Sequence, residues 1–118
     1  NEYKVSVEET HHLQKLDHPS GTGISISNDI LTNNTNYISW VLGKEELPYT
    51  NRNQFPLVSY RKPDVPGFHK ITYSSEIDTI EISHEAHNRK GFALGAVIAA
   101  EFLLTKKGIY GMNDVLKF

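Results

Sequence analysis

Apolar and polar residues alternate near the start of the chain, Val5 and Val7 against Ser6 and Glu8. A period of two is that of a strand with one buried face, and it predicts a strand over Lys4–Thr10. His11–Gly23 is polar and rich in turn formers, with Pro19, Gly21 and Gly23. A helix is expected over Gly21–Thr32, with Ile24, Ile26, Ile30 and Leu31 apolar and Ser20 or Thr22 as its N-cap. Asn33-Asn34-Thr35-Asn36 ends it. Tyr37–Leu42 (Tyr-Ile-Ser-Trp-Val-Leu) has strong strand propensity. Gly43–Pro56 reads as a long polar loop with two prolines, Leu57–Arg61 as a short strand and Pro63–Gly67 as a turn. Phe68–Ser74 alternates again, and Glu76–Ser83 carries Ile77, Ile80 and Ile82. The last clear element is a helix over Lys90–Lys106, apolar at Phe92, Ala93, Ala96, Val97, Ala100, Phe102, Leu103 and Leu104, and stopped by Gly108.

This order, strand, helix, several strands, helix, predicts an α+β domain: a single mixed or antiparallel sheet with helices on one face. Tyr37, Trp40, Tyr60, Tyr73 and Ile80 exceed what one small core holds, so the other sheet face is expected to serve oligomerisation. The alternative is that these residues cover one another within a monomer.

Composition narrows the classes. At 118 residues the chain is one domain's worth. A net charge of −2 supplies no positive field for nucleic acid. With no cysteine there is no disulfide framework and no thiolate metal site, which fits a cytoplasmic protein. No apolar run approaches the ~20 residues of a membrane-spanning helix, and no charged-then-apolar leader opens the chain, so neither membrane nor secretion is expected. The sequon Asn33-Asn34-Thr35 is then read as a helix-ending turn. The first residue is Asn1 and not Met, and further sequence upstream is expected.

The densest chemistry lies in Glu9-Thr10-His11-His12-Leu13-Gln14-Lys15-Leu16-Asp17-His18-Pro19-Ser20-Gly21-Thr22. Two histidines leave a strand end, a lysine follows, and a Pro-Ser-Gly-Thr turn opens a helix. Unpaired N–H groups and the dipole at a helix N-terminus attract anions. Gly21 admits close approach, Ser20 and Thr22 add hydroxyl donors, and Lys15 with the histidines adds positive charge. The combination suits a small molecule with one or more carboxylates, and histidine suits proton donation near neutrality. The plainer reading is a surface His-His pair beside an ordinary helix start.

His11-His12-x-x-Lys15-x-Asp17-x-Pro19-Ser20-Gly21-Thr22 resembles the signature of the dihydrodipicolinate reductase family. Arg61, Val65, Gly67 and His69 are similar to its Arg-x-x-x-Val-x-Gly-x-His stretch. Ile80-Glu81-Ile82-Ser83-His84, Asn88-Arg89 and Phe92-Ala93-x-Gly95-Ala96 are similar to its closing strand and helix, and Gly108-Ile109-Tyr110 through Asp114-Val115-Leu116 to its tail. The resemblance runs almost end to end. It implies that residues 1–118 are a C-terminal substrate-binding and oligomerisation domain in lysine and diaminopimelate biosynthesis. His11 would then donate the proton, and Lys15 would act in proton transfer or against a carboxylate. His12, Lys15, Gly21 and Thr22 would bind a cyclic dicarboxylate. It further implies hydride from NADPH or NADH, a homotetramer through the sheet face, and a tail from Phe92 to Phe118 leaning toward a nucleotide domain. His18 and Gly23 depart from the family pattern, which has a small residue and alanine there; His18 is expected to point outward.

The cofactor half is missing from these letters. A dinucleotide site needs Gly-x-Gly-x-x-Gly after a strand. Here Gly21-Thr22-Gly23 follows a turn and Ile26 stands at the third glycine. The chain alone is therefore expected not to catalyse reduction. Two rivals stay open. One is a zinc site from His84, His87, His11 and His12, for which no carboxylate or cysteine completes a known spacing, so no metal is expected. The other is a scaffold module with no active-site role. Lys106-Lys107 is expected to complement the final helix dipole. Arg89 is read as structural or near a hinge, and Arg61, Lys62 and His69 face either pocket or solvent.

Overall fold

The computed structural model describes residues 3–43 and 52–117. Its elements are β1 (Lys4–His11), α1 (Gly21–Asn33), β2 (Ser39–Gly43), β3 (Gln54–Arg61), β4 (Gly67–Ser74), β5 (Thr79–Ala86), α2 (Lys90–Leu103) and α3 (Met112–Leu116). They fall into two compact units, one up to His87 and one from Asn88 onward. The strands form one mixed sheet in the order β2-β3-β1-β4-β5. β1 runs parallel to β3 and antiparallel to β4, β2 parallel to β3, and β4 antiparallel to β5. The architecture is the expected α+β class, with α1 packed on the sheet.

Register fixes which residues share the α1 face. Val7 pairs with Leu57 on one side and Ile71 on the other, Val5 with Tyr73, and Trp40 with Phe55. Val5, Val7, Ile30, Phe55 and Leu57 form the buried core, against which Ile26, Leu31, Tyr37, Trp40, Ile71 and Tyr73 pack. Burying these side chains drives the sheet and α1 together, each fully buried one contributing roughly 1.5–3 kcal/mol. This corrects the expected second apolar face in part, since Tyr60 and Ile80 are not among the residues packed on this core. Tyr37, Trp40 and Tyr73 belong to the same core as α1. Tyr37 also packs edge-on against Phe55 and accepts the Val5 N–H through its hydroxyl at 3.0 Å. The opposite face, by register, carries Glu8, Lys70 and Glu81, linked by ion pairs of 3.5 and 3.7 Å.

The starts of β3 and β5 differ from expectation for local reasons. β3 starts at Gln54, three residues before the expected Leu57, and contains the fully buried Pro56. Pairing with β1 begins at Leu57, one residue past the proline, so Pro56 costs that ladder no donor. The remainder of the expected 43–56 loop lies mostly outside the described residues. β5 begins at Thr79 because Ser75–Asp78 is a turn: the Ser75 N–H donates to Asp78 O at 2.9 Å, and Ser75 Oγ accepts the Ile77 and Asp78 N–H groups. Ile77 therefore sits at a tip, 81% exposed.

In the second unit, α2 ends at Leu103, where 3₁₀-type bonds from Leu104 N to Glu101 O and from Lys106 N to Leu103 O tighten the chain. Gly108 lies past the end at φ 138°, where a Cβ would meet the Tyr110 ring at about 3.5 Å. Lys106 is beyond the helix as well and stacks over the Phe102 ring at 4.7 Å, so it does not cap the dipole as expected. Phe102 meets Tyr110 edge-on at 5.4 Å. The short α3 was not anticipated; Asp114 Oδ2 accepts the Gly111 N–H at 2.8 Å and starts it.

Candidate functional site

Along β1 the inward positions are Val5, Val7, Glu9 and His11. The same alternation that builds the core therefore delivers a carboxylate and an imidazole to its C-terminal end. Glu9 is fully buried, and a buried carboxylate persists only with donors around it. Glu9 has four. His11 Nδ1 lies 2.5 Å from Oε2, Ser59 Oγ 2.5 Å from Oε1, the Ser20 N–H 3.0 Å from Oε1, and Arg61 Nη1 3.1 Å from both oxygens. Burial pushes the Glu9 carboxyl upward, but the hydrogen bonds from Ser59, His11, Ser20 and Arg61 together outweigh it, and its pKa is lowered. Glu9 is thus an ionised acceptor, and His11 Nδ1 must be the donor toward it.

Arg61 does more than neutralise Glu9. Its Nε donates to the Lys15 carbonyl at 3.3 Å, its Nη2 to the Asp17 carbonyl, and its Nη1 also to Tyr60 O at 2.6 Å. One guanidinium therefore ties the loop after β1 to the end of β3, a task its fixed fork of donors suits. Ser59 spends its single hydroxyl hydrogen on Glu9, so its oxygen accepts from Arg61 at 3.1 Å and from His18 Nδ1 at 3.0 Å. His18 is exposed, as an outward-pointing residue would be, while its Nδ1 is bonded to Ser59 on β3.

Ser20, not Thr22, caps α1: its Oγ accepts the Gly23 N–H at 3.1 Å. The same Oγ lies 3.2 Å from His69 Nε2. Burial, followed by the charge of His11, lowers the His69 pKa and favours the neutral ring. His69 also packs edge-on against His11, ring centres 5.1 Å apart. Gly23 allows the close approach of α1 to β1 and β3. A Cβ there would stand 3.4 Å from Glu9 Cγ and Leu57 Cδ1.

Among the residues expected from sequence, His11 lies inside this network and Gly21 opens α1 beside it, with open space where its Cβ would stand. Thr22 is exposed in the first turn. Lys15 pairs with Asp17 at 3.0 Å, which lowers the Asp17 pKa. His12 Nδ1 faces Gln14 Oε1 at 3.1 Å. The side chains of His12 and Lys15 thus share no partner. What holds the loop are groups the sequence reading assigned no role, Glu9 and Ser59, and one it left undecided, Arg61. Glu9 had a legible signal: a charged residue at a core position of an alternating strand needs partners. Among the described residues, no group of three or more His, Cys, Asp or Glu side chains is arranged to hold a metal ion, and no helix is long and apolar enough to cross a membrane.

The α1 N-terminus does not fit a dinucleotide. It follows a loop of nine residues and not a strand, and Ile26 packs on the core where a glycine is needed.

The mixed sheet, with a histidine and a buried charge cluster at the mouth of α1, defines an α+β domain organised around one polar loop. The family model described as "Dihydrodipicolinate reductase, C-terminus" matches residues 1–116, and the chain belongs to that family. It is 49% identical over 98% of its length to a 4-hydroxy-tetrahydrodipicolinate reductase of Christiangramia forsetii, covering 46% of that protein. It is 36% identical over 99% of its length to that of Pelagibacter ubique, covering 47%. The chain spans about half the length of these curated relatives. A solved structure described as dipicolinate-bound dihydrodipicolinate reductase from a Paenisporosarcina species shares the fold, with TM-score 0.63 and 24% identity, over 93% of this chain and 43% of that one.

Proposed function

We propose that this chain is the substrate-binding half of an NAD(P)H-dependent reductase converting 4-hydroxy-tetrahydrodipicolinate to tetrahydrodipicolinate. The observation that carries the reading is the Arg61–Glu9 lock, which holds the loop carrying His12 and Lys15 between His11 and the start of α1.

In this reading one substrate carboxylate takes the place of Asp17 on Lys15. That exchange is inexpensive because Asp17 is exposed and Lys15 partly so, which keeps their pair weak. The N–H groups of Gly21 and Thr22, with the Thr22 hydroxyl, hold a carboxylate at the helix N-terminus. His12 adds a donor. His11 supplies the proton to the ring atom adjacent to the one that is reduced. Hydride delivery belongs to the nucleotide-binding part that the longer relatives would contain, so the chain alone turns over nothing. The sheet serves assembly into a homotetramer, and the setting is the cytoplasm. A structural neighbour named for bound dipicolinate supports the ligand class.

The test is made on the full-length polypeptide. His11→Ala should lower kcat by about 10²–10⁴. Lys15→Ala should abolish inhibition by pyridine-2,6-dicarboxylate. Wild-type turnover undiminished in both variants would reject the assignment. Light scattering reporting a monomer would reject the assembly role.

A further inference from the structure

We infer that Glu9 is the positioning residue of the reaction: its buried carboxylate fixes the His11 ring through Nδ1 and, through Arg61, holds the loop that carries Lys15. This rests on the reading of His11 as proton donor given above.

Glu9 is acceptor-only when ionised, and Oε2 lies 2.5 Å from His11 Nδ1. The ring must present Nδ1–H to it, which leaves Nε2 as the nitrogen that carries and releases the proton. The neighbouring ring, His69, is bonded through Nε2 to the Ser20 hydroxyl and not to the carboxylate. The same carboxylate takes Arg61 on both oxygens, and Arg61 holds the carbonyls of Lys15 and Asp17. Ser20 closes the circuit, its N–H on Glu9 Oε1 and its Oγ capping α1. One carboxylate thus sets the acid, the loop lysine and the helix start in a common frame. Glutamine cannot replace it. Its carboxamide has one oxygen for donors that now share two, and its NH₂ would face Arg61, Ser59 or the Ser20 N–H.

The first experiment needs no variant. Nitrogen-15 chemical shifts of the His11 ring, in the chain labelled at histidine and taken at alkaline pH, should show Nδ1 protonated and Nε2 bare. The opposite tautomer overturns the assignment. The second is a double-mutant cycle on turnover by the full-length polypeptide. Glu9→Gln should lower kcat by at least about tenfold, a carboxylate that orients a histidine being worth about ten- to hundredfold beside a metal and up to about 10⁴ in a catalytic triad. In a His11→Ala background the same change should cost at least about threefold less, the remaining loss reflecting the Lys15 loop that Arg61 holds. Equal losses in both backgrounds would make Glu9 merely structural and overturn the proposal. Unimpaired turnover in His11→Ala alone would instead overturn the functional reading on which it rests.

Discussion

The two units of the chain use apolar residues in opposite ways. In the first, Val5, Val7, Phe55 and Leu57 are almost completely buried between sheet and α1, and a charge cluster is sealed beside them with its donors satisfied. In the second, α2 is more apolar than α1, yet no residue of α2 or α3 is buried, and Phe92, Leu94 and Val97 are each more than half exposed. Apolar content therefore predicts a helix in both cases but predicts a core only where register supplies a facing surface. Helices that are apolar on most sides are ordinarily covered, and the proposed assembly and nucleotide half offer such covers.

The comparison can be broken by variants that should act on one unit alone. The largest effect is expected at Glu9. Glu9→Ala leaves Arg61 unpaired beside buried atoms and should cost about 3–5 kcal/mol of unfolding free energy, measured by urea denaturation. Acid should weaken the same unit. Glu9 and His69 both have pKa values lowered by folding. A lowered pKa means that the unfolded chain binds its proton first as pH falls. The His69 contribution is thus complete above its ordinary 6.5 and declines below it, and that of Glu9 is complete above 4.5 and declines as pH drops further. A urea midpoint that rose on acidification from 7 to 4 would contradict this.

Next come two leucines of identical chemistry. Leu57→Ala, in the core, should cost about 2–5 kcal/mol, whereas Leu94→Ala, 60% exposed on α2, should change stability by under about 0.5 kcal/mol in this chain. Equal losses would mean that α2 is covered after all. The smallest effect is Ser20→Ala, about 1 kcal/mol through loss of the α1 cap, with greater amide exchange at Gly23.

How legible all this was depended on whether the information was local. β1 and β4 were readable because their alternation is uninterrupted and their faces differ. α1 was readable from its Ser20 cap and its isoleucine spacing. β3 was cut short because Pro56 usually marks a loop, and only the neighbouring strands reveal that its missing N–H falls outside the β1 ladder. β5 was set early because Ile77 looked like a strand residue, while the Ser75 hydroxyl had already committed that segment to a turn. At the site, His11, Lys15 and the helix start could be picked out by chemical type. Arg61 and Ser59 could not, since they bond to loop residues 41 to 46 positions earlier in the chain and meet them only through the parallel pairing of β1 with β3.

That parallel pairing has a consequence for how the chain reaches its fold. Val7 and Leu57 are separated by the whole of α1 and β2, whereas β4 and β5 are joined at Ser74 and Thr79 by a tight turn. Closing a long loop carries an entropic cost that the hairpin avoids. The hairpin amides should therefore gain protection before those of β1 in pulse-labelled refolding, and the polar cluster around Glu9 should be among the last features to assemble.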